Sequence, residues 1–451
     1  MTDNLVELEI EDLAFDGKSV GHIDGKVTFV NGGLPGEIIL AEITRSKPRY
    51  NQARLHRIIR VSDIRVPARC EHFAYCGGCT WQDLSYEQQL IFKRKQVVDC
   101  IERIGGMEAV RVNPCIPSQD QFFYRNKMEF SFHVENGEEF SLGLHERGHF
   151  DRIFDLNRCH LQSDLSNRLV HWLRDYVRAN GIPVYDVRAH EGFMRFFVIR
   201  QTKRTNQTML NIVTNYGNLP DQERFMTSLL GACPEVTTVI HNQNGSKSNI
   251  ATGEIETVIY GPGYIEERLF DSTFRIRANS FFQTNSLQAE VLYRTGFEVL
   301  KPTTSDRVLD LYCGTGTIGL LVAPKVEQVV GVELVSSAIR SAAENAELNG
   351  VTNIAFYEAN VVDFLRAVPK ELQQFSAYVL DPPRAGLHPK AVKKIIELGP
   401  ERILYISCNP ATFARDAKDL VAAGYTLPEV TPVDMFPHTM HIEAVGLFSR
   451  G

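Results

Sequence analysis

The chain has 451 residues, of which 43% are hydrophobic and 23% charged, as in an ordinary soluble globular protein. A chain of this length is too long to fold around a single hydrophobic core, so we expect two to four domains. The net charge of −7 argues weakly against a nucleic-acid partner, because phosphates attract lysine and arginine, but local basic patches remain compatible with it.

The N-terminal sequence MTDNLVELEIEDLAFDG is acidic and lacks the basic and apolar segments of a signal peptide. No uncharged apolar run approaches the roughly 18 residues that a membrane span needs. We therefore expect a cytoplasmic protein with no membrane partner. Structural disulfides are rare in that compartment, so clustered cysteines indicate metal binding or catalysis.

Residues 1–62 contain short β-rich segments separated by the turn sequences DGKSVGHIDG and NGGLPG. This pattern predicts a small closed barrel of the OB type. The stretch RSKPRYNQARLHRIIR, residues 45–60, is basic and contains a tyrosine, which favours RNA binding. A merely solvated basic face and an inert spacer barrel are the alternatives.

Residues 63–270 have mixed character and predict a central α+β domain. Apolar residues at helical spacing predict a helix over residues 84–106, ending at Gly105-Gly106. Segments such as YRNKMEFSFHV, FSLGLHE, MRFFVIRQT and TMLNIVTN alternate like the strands of an antiparallel sheet.

Residues 271–451 alternate buried strand cores with helical stretches. The strand cores are VLDLY, VVGVEL, AFYEANV, YVLDPP and ILYISC. This alternation predicts a doubly wound, Rossmann-like α/β fold with a parallel sheet. Ligands of such sheets bind at the carboxyl ends of the strands.

The sequence DLYCGTGTIG, residues 310–319, runs from a strand through a glycine-rich turn into a helix. Gly314 and Gly316 allow the backbone to approach a ligand closely. The motif is not GxGxxG, so it supports a dinucleotide only weakly, whereas Glu333 at the end of the next strand suits the hydroxyls of a ribose. The combination predicts a nucleoside cofactor without pyrophosphate, for which S-adenosylmethionine is the obvious candidate.

Asp381 closes the fourth strand in the sequence DPPRAGLH, residues 381–388. Two prolines make the turn rigid and extended, and they aim the carboxylate into the crevice at the strand ends. Similar Asp-Pro-Pro turns occur in methyltransferases that act on nucleobases. A rigid loop with a capping aspartate is the alternative.

Three cysteines in C-x5-C-x2-C spacing, with a fourth about 80 residues later, predict a metal site. These candidate ligands are Cys70, Cys76, Cys79 and Cys159. The spacing alone does not distinguish zinc from a [4Fe–4S] cluster, and His72 and His160 are further candidate ligands.

Cys408 lies in YISCNPATFARD, where the fifth strand ends, and could be a packing thiol, a metal ligand or a nucleophile. Glu443 follows in MFPHTMHIEAV, 35 residues after Cys408, and is within reach if the next hairpin folds back onto the sheet. Carbon 5 of uracil is a poor nucleophile, but a thiolate that adds to carbon 6 activates it, and a base must then remove the carbon 5 proton. Cys408 and Glu443 supply both groups, so the pair predicts this chemistry.

The sequence resembles the RNA uracil-5-methyltransferase family over essentially the whole chain. The motifs that carry the resemblance are FFQTN, DLYCGTGTIG, DPPRAGLH, SCNPATFARD and MFPHTMHIEAV. The N-terminal barrel resembles a TRAM domain. The four cysteines resemble the [4Fe–4S] site of the branch that modifies ribosomal RNA, whereas the tRNA-modifying branch generally lacks both features.

The resemblance implies that Cys408 is the nucleophile and Glu443 the base. The residues similar to cofactor-site positions of the family are Gln283, Tyr312, Thr317, Glu333, Asn360 and Asp381. Some members carry asparagine in place of Thr317. The resemblance further implies 23S rRNA as substrate, no DNA partner, a monomer, and packing of the 84–106 helix on the catalytic domain.

Three other functions remain open at this stage. The same chemistry could act on a tRNA T-loop uridine, or the chain could be a non-catalytic RNA-binding or ribosome-assembly factor on a methyltransferase scaffold. A cytosine-5-methyltransferase shares the thiol addition, but its nucleophile typically follows a proline, and Cys408 follows Ser407.

Overall fold

The computed structural model describes residues 5–15, 17–134, 139–368 and 374–450. Residues 1–4 and Asp16 of the predicted barrel lie outside these ranges. None of the helices within them is both long and apolar enough to cross a membrane.

The N-terminal strands form a six-stranded sheet that closes on itself. The strands are β1 (Leu5–Glu9), β2 (Asp12–Leu13), β3 (Ser19–Ile23), β4 (Lys26–Asn31), β5 (Ile38–Ser46) and β6 (Tyr50–Arg60). Their order is β1-β5-β6-β4-β3-β2. Because β1 and β2 follow each other in the chain and lie at the two ends of this order, the sheet closes into a barrel around Leu8, Val30 and Ile39.

The central region is built on a seven-stranded sheet in the order β10-β9-β8-β11-β12-β13-β14. Its elements, with a following hairpin, are α1 (Tyr86–Arg103), β7 (Arg111–Val112), β8 (Lys127–His133), β9 (Ser141–His145), β10 (Ile153–Asp155), α2 (Asp164–Ala179), β11 (Met194–Gln201), β12 (Thr208–Thr214), α3 (Gln222–Ala232), β13 (Thr238–Gln243), β14 (Ile255–Tyr260), β15 (Ile265–Leu269) and β16 (Ser272–Ile276). The four segments predicted as antiparallel strands are β8, β9, β11 and β12, and they pair antiparallel. The next strand, β13, is parallel to β12. Helix α3 connects them as a crossover, so the chain returns in the same direction.

The C-terminal region forms an eight-stranded sheet in the order β19-β18-β17-β20-β21-β23-β22-β7. Its elements are α4 (Ser286–Leu300), β17 (Arg307–Leu311), α5 (Thr317–Val322), a 3₁₀ turn (Ala323–Lys325), β18 (Gln328–Glu333), α6 (Ser336–Leu348), β19 (Ile354–Glu358), α7 (Val361–Arg366), β20 (Ala377–Leu380), α8 (Pro389–Leu398), β21 (Arg402–Ser407), α9 (Pro410–Ala422), β22 (Glu429–Val433) and β23 (Glu443–Ser449). Strands β17 to β21 are mutually parallel, with helices between them, and β23 is antiparallel to β21. The predicted fold class is confirmed.

The chain interleaves the central and C-terminal regions. Strand β7 pairs with β22 and so forms the edge of the eight-stranded sheet, and α1 packs against α9. Lys93 of α1 forms a fully buried ion pair with Asp434, with 2.6 Å between Nζ and Oδ1. The domain limits expected after residues 62 and 270 stay predictions.

One small apolar cluster joins three parts of the chain. Leu13 and Leu34 of the barrel pack with Trp81 and Leu84, and Met440 of the C-terminal region contacts the same cluster. Trp81 is only 1% exposed. The barrel, the segment after the clustered cysteines and the loop before β23 therefore share one core.

Candidate active site

A cavity of about 1020 Å³ lies at the carboxyl ends of the parallel strands. Its lining includes every side chain that the sequence nominates for catalysis or cofactor binding. These are Gln283, Tyr312, Thr317, Glu333, Asn360, Asp381, Cys408 and Glu443. Side chains from both ends of the C-terminal region thus meet in one place, as expected for the strand ends of a doubly wound sheet.

The glycine-rich turn after β17 shapes one wall of the cavity. Tyr312, Gly314 and Gly316 all have positive φ, at +64°, +54° and +77°. A Cβ added to Gly316 would lie 2.9 Å from the ring of Phe356 and 3.0 Å from Cβ of Ala342, so this position requires glycine.

Backbone amides hold the Glu333 carboxylate against this turn. The Gly314 amide donates to Oε2 at 3.2 Å, and the amides of Leu334 and Val335 donate to Oε1 at 2.7 and 2.9 Å. A carboxylate that is already oriented in this way can accept hydrogen bonds from the two hydroxyls of a ribose.

Three polar side chains complete the wall where a nucleoside cofactor would bind. Asn360 caps α7, with Oδ1 accepting from the Val362 amide at 2.9 Å. Thr317 opens α5, with its hydroxyl 3.4 Å from that of Thr315. Gln283 lines the cavity together with Tyr293, a buried residue of α4.

Two carboxyl groups face the cavity, that of Asp310, which is fully buried, and that of Asp381, which is half-buried. Burial raises the pKa of Asp381 to about 7 and that of Asp310 to about 8. Asp310 Oδ2 accepts from the Gly319 amide at 2.9 Å and so ties α5 to β17, whereas its buried Oδ1 has no hydrogen-bond partner among the described residues. Asp310 belongs to the quoted glycine-rich motif, but only the structure shows that it lines the cavity.

Cys408 and Glu443 face each other at the end of two neighbouring strands. Strands β21 and β23 pair antiparallel, with Ser407 opposite Ala444. Continuing this register by one residue places Cys408 opposite Glu443, and Cβ atoms in such positions lie about 5 Å apart. The hairpin β22–β23 thus folds back onto the sheet and brings the second group to the first.

The charge environment of Cys408 and Glu443 favours their neutral forms in the free protein. Burial, then the carboxyl groups of Glu443 and Asp381, raise the pKa of the Cys408 thiol to about 11. Burial and Asp381 raise the pKa of Glu443 well above its ordinary value. Arg384 opposes both shifts, so added positive charge in the cavity favours the thiolate.

Arg384 and His441 are site residues that the sequence analysis did not single out. Arg384 Nη2 lies 2.6 Å from His441 Nδ1, and both residues line the cavity. The Arg384 carbonyl accepts from Asn409 Nδ2 at 2.9 Å, which ties the DPPRAGLH loop to the residue after Cys408. A cation three residues after Asp381 is the signal that could have revealed Arg384.

The four cysteines of the predicted metal site line a second cavity, together with His160. Two of the sulfur atoms accept N–H hydrogen bonds, Cys76 from the Gly78 amide at 3.3 Å and Cys79 from Gln82 Nε2 at 3.2 Å. No group of three or more metal-binding side chains in the described ranges is arranged to hold a single ion. Gly78 and Arg125 line both this cavity and the larger one.

His72 does not act as a free ligand in this arrangement. Its Nδ1 lies 2.6 Å from the Tyr75 hydroxyl, and its Nε2 accepts from the Asn157 amide at 3.1 Å. Both ring nitrogens therefore have protein partners. His160 differs, because its buried Nδ1 has no hydrogen-bond partner among the described residues.

Comparison with known proteins agrees with these features. The family model described as tRNA (uracil-5-)-methyltransferase matches residues 85–450, and the TRAM domain model matches residues 4–55. An RNA methyltransferase of unknown specificity from Chlorobaculum tepidum is 42% identical, over 99% of this chain and 96% of that protein. One from Caldanaerobacter subterraneus is 36% identical, over 99% of both chains.

A solved structure with the same fold is that of the Pyrococcus abyssi tRNA (uracil-54, C5)-methyltransferase in complex with S-adenosyl-L-homocysteine. It superposes with a TM-score of 0.78 at 34% sequence identity and covers 98% of this chain and 100% of that one.

The doubly wound sheet, the glycine-rich turn and this structural likeness define an S-adenosylmethionine-dependent RNA methyltransferase. Within that class the chain belongs to the tRNA (uracil-5-)-methyltransferase family. The family resemblance that the sequence motifs indicate is confirmed, and so is the TRAM domain.

Proposed function

We propose that the protein methylates carbon 5 of a uridine in RNA through a transient covalent bond between Cys408 and carbon 6 of the base. This proposal rests on one observation. Cys408 and Glu443 lie opposite each other where β21 and β23 pair, inside the cavity that the predicted cofactor residues line. A scaffold without catalytic function would have no need of this pair, which argues against a purely RNA-binding role.

The roles of the two residues follow from the chemistry of the base. S-adenosylmethionine, when bound, supplies an electrophilic methyl group on a positively charged sulfur. That charge and Arg384 both favour the thiolate of Cys408. The thiolate adds to carbon 6, and the electron pair of the 5,6 double bond moves to carbon 5. Carbon 5 then accepts the methyl group, and the electron pair of the broken sulfur–methyl bond stays on the sulfur of the cofactor. Glu443 in its ionised form, which Arg384 favours, then removes the carbon 5 proton, the double bond re-forms and the thiolate leaves.

The cofactor would lie along the wall formed by the glycine-rich turn. In this proposal Glu333 binds the ribose hydroxyls, while Gln283, Tyr312, Thr317 and Asn360 contact the remainder of the nucleoside and amino acid. The fixed carboxylate of Glu333 supports this assignment, because three backbone amides already orient it.

We propose that the RNA partner also contacts the barrel. The outer half of β6 exposes Arg54, Arg57 and Arg60 on one strand that also begins with Tyr50. Basic strands with aromatic residues suit single-stranded RNA, since arginines contact phosphates and rings stack on bases.

For the substrate we propose 23S rRNA, because the chain combines a TRAM barrel with the four-cysteine cavity. The second candidate is a tRNA T-loop uridine, which the likeness to the P. abyssi enzyme favours. Either target must leave its base stack to enter the cavity, so loops are preferred over helices.

Mapping 5-methyluridine in ribosomal and transfer RNA, from cells with and without the gene, separates these substrates. We expect one or more 23S positions to lose the modification while tRNA keeps it. Loss confined to the T loop would transfer the assignment to tRNA. Loss in neither RNA, together with no methylation of uridine-only transcripts by the purified protein, would refute uridine methylation.

We further propose that Cys70, Cys76, Cys79 and Cys159 hold a [4Fe–4S] cluster. The four thiols line one cavity, and N–H···S hydrogen bonds of the kind made to Cys76 and Cys79 tune such clusters. Zinc held by the same four thiolates is the alternative.

Protein purified without oxygen is expected to be brown and to contain iron and sulfide in about equal amounts. Cys76→Ala should lose most of the iron, because it removes one of four ligands. Cys233→Ala is the matched control, since Cys233 is a buried cysteine outside this cavity, and its iron content should be unchanged. A colourless protein with one zinc per chain would contradict the cluster.

A further inference from the structure

Gln89, a fully buried residue of α1, connects two loops that are distant in sequence. Its Oε1 accepts from the His438 amide at 2.8 Å. Its Nε2 donates to the carbonyls of Trp81 and Leu84 at 2.9 and 2.8 Å. One side chain thus ties the segment after the clustered cysteines to the loop that precedes Glu443.

The loop before Glu443 is shaped by contacts from outside it. Four consecutive carbonyls, from Met435 to His438, accept hydrogen bonds from other segments of the chain. The donors are Asn285 Nδ2 at 3.1 Å, Lys93 Nζ at 3.1 Å, the Tyr124 hydroxyl at 3.1 Å, and the amides of Thr80 and Trp81 at 2.8 and 3.0 Å. The conformation of this loop therefore depends on residues before position 290 as well as on its own sequence.

His438 is the point in this loop where the external contacts converge. Its φ of +66° lies in the left-handed region, which non-glycine residues rarely adopt. The imidazole stacks on Phe122, with ring centroids 4.2 Å apart. Such a conformation persists only where its surroundings impose it, and Gln89 contributes one of the hydrogen bonds that do so.

Cys408 is held by a different set of contacts. The Asn409 side chain caps α9 by accepting from the Ala411 amide at 3.1 Å, and it also donates to the Arg384 carbonyl. Neither contact involves His438, and Arg384 reaches the loop before Glu443 only at His441, with 2.6 Å between Nη2 and Nδ1. A change at Gln89 would therefore act directly on the loop before Glu443 and only indirectly on the contacts that hold Cys408.

We infer that Gln89 is a positioning residue for Glu443 and that it acts on removal of the carbon 5 proton rather than on formation of the covalent bond. This inference rests on the proposed function, in which Glu443 is the base. It also gives the four-cysteine segment a second role, because Thr80, Trp81 and Gln89 together set the position of His438.

Gln89→Met is the test, since methionine keeps the length of the side chain but makes none of these hydrogen bonds, nor the 3.2 Å contact of Gln89 Nε2 with His438 Nδ1. Turnover should fall about 10- to 100-fold, as expected for a displaced catalytic group. The fraction of bound RNA present as a covalent adduct on a denaturing gel should rise. A kinetic isotope effect should appear or increase with RNA that carries deuterium at carbon 5 of uridine.

Gln96→Met is the matched control. Gln96 is a buried glutamine of the same helix, but its Nε2 donates to the Ala14 carbonyl of the barrel at 3.3 Å. Its adduct fraction and isotope effect should match those of the unmodified protein. Should Gln89→Met fail to fold, Gln89→Glu keeps the acceptor for the His438 amide and should show the same two changes to a smaller degree.

The outcomes separate this inference from the proposed function. If Gln89→Met loses activity with an unchanged adduct fraction and isotope effect, Gln89 is only a packing residue and the inference fails alone. If the unmodified protein and Glu443→Gln both form no adduct that depends on Cys408, the proposed function fails, and the inference fails with it.

Discussion

Cys408→Ala is expected to abolish methylation of RNA, with a loss on the order of 10⁴-fold or more, as for other covalent nucleophiles. Without the thiolate, carbon 5 of uracil is never activated for attack on the methyl group. The measurement is the initial rate of methyl transfer from labelled S-adenosylmethionine into a uridine-containing RNA.

Binding should survive this substitution, because Cys408 is one of many groups that line the cavity. The dissociation constants for RNA and S-adenosylmethionine should change by less than a few fold. Cys115→Ala, which removes a buried thiol outside the cavity, serves as the control and should retain activity. Methylation of uridine at carbon 5 by Cys408→Ala would show that the nucleophile is another residue.

Glu443→Gln is expected to have a different effect from Cys408→Ala, because it blocks removal of the carbon 5 proton, the last step, and not formation of the covalent bond, the first. The amide occupies the same space as the carboxyl group but cannot accept the carbon 5 proton. Addition and methyl transfer should proceed, and a covalent complex of protein and methylated RNA should accumulate. Denaturing gel electrophoresis with labelled RNA detects this complex directly.

The double variant Cys408→Ala, Glu443→Gln should form no such complex, which ties the adduct to the thiol. Normal turnover by Glu443→Gln would assign the base elsewhere. Asp381 would be the next candidate, since it lines the same cavity and burial raises its pKa to about 7.

Much of the catalytic region could be predicted because its signals are local. Each parallel strand is a short buried run, and the residues nominated for function stand at or just after strand ends, as Glu333, Asp381 and Cys408 do. The geometry of a doubly wound sheet then brings these positions to one edge. The approach of Glu443 required one further assumption, that the last hairpin folds back, and the pairing of β21 with β23 shows it.

The remainder depends on contacts between residues far apart in the chain. Lys93 and Asp434 are separated by 341 residues, and neither stands out as a member of a buried ion pair. Arg384 meets His441 only because two loops converge. The parallel pair β12–β13 follows from a crossover helix, whereas the strand pattern alone fits either direction equally well.

The position of β23 in the sheet also sets when the protein becomes competent during synthesis. This strand follows every other strand of its sheet in the chain, yet it lies between β21 and β22 rather than at an edge. Strand β7 also lacks its partner while most of the chain is being made, because Glu429 of β22 comes 318 residues after Arg111. A growing chain can therefore contain Cys408 without Glu443 opposite it. In the proposed mechanism, only a chain that has been made as far as β23 has both the nucleophile that adds to uridine and the base that allows its release.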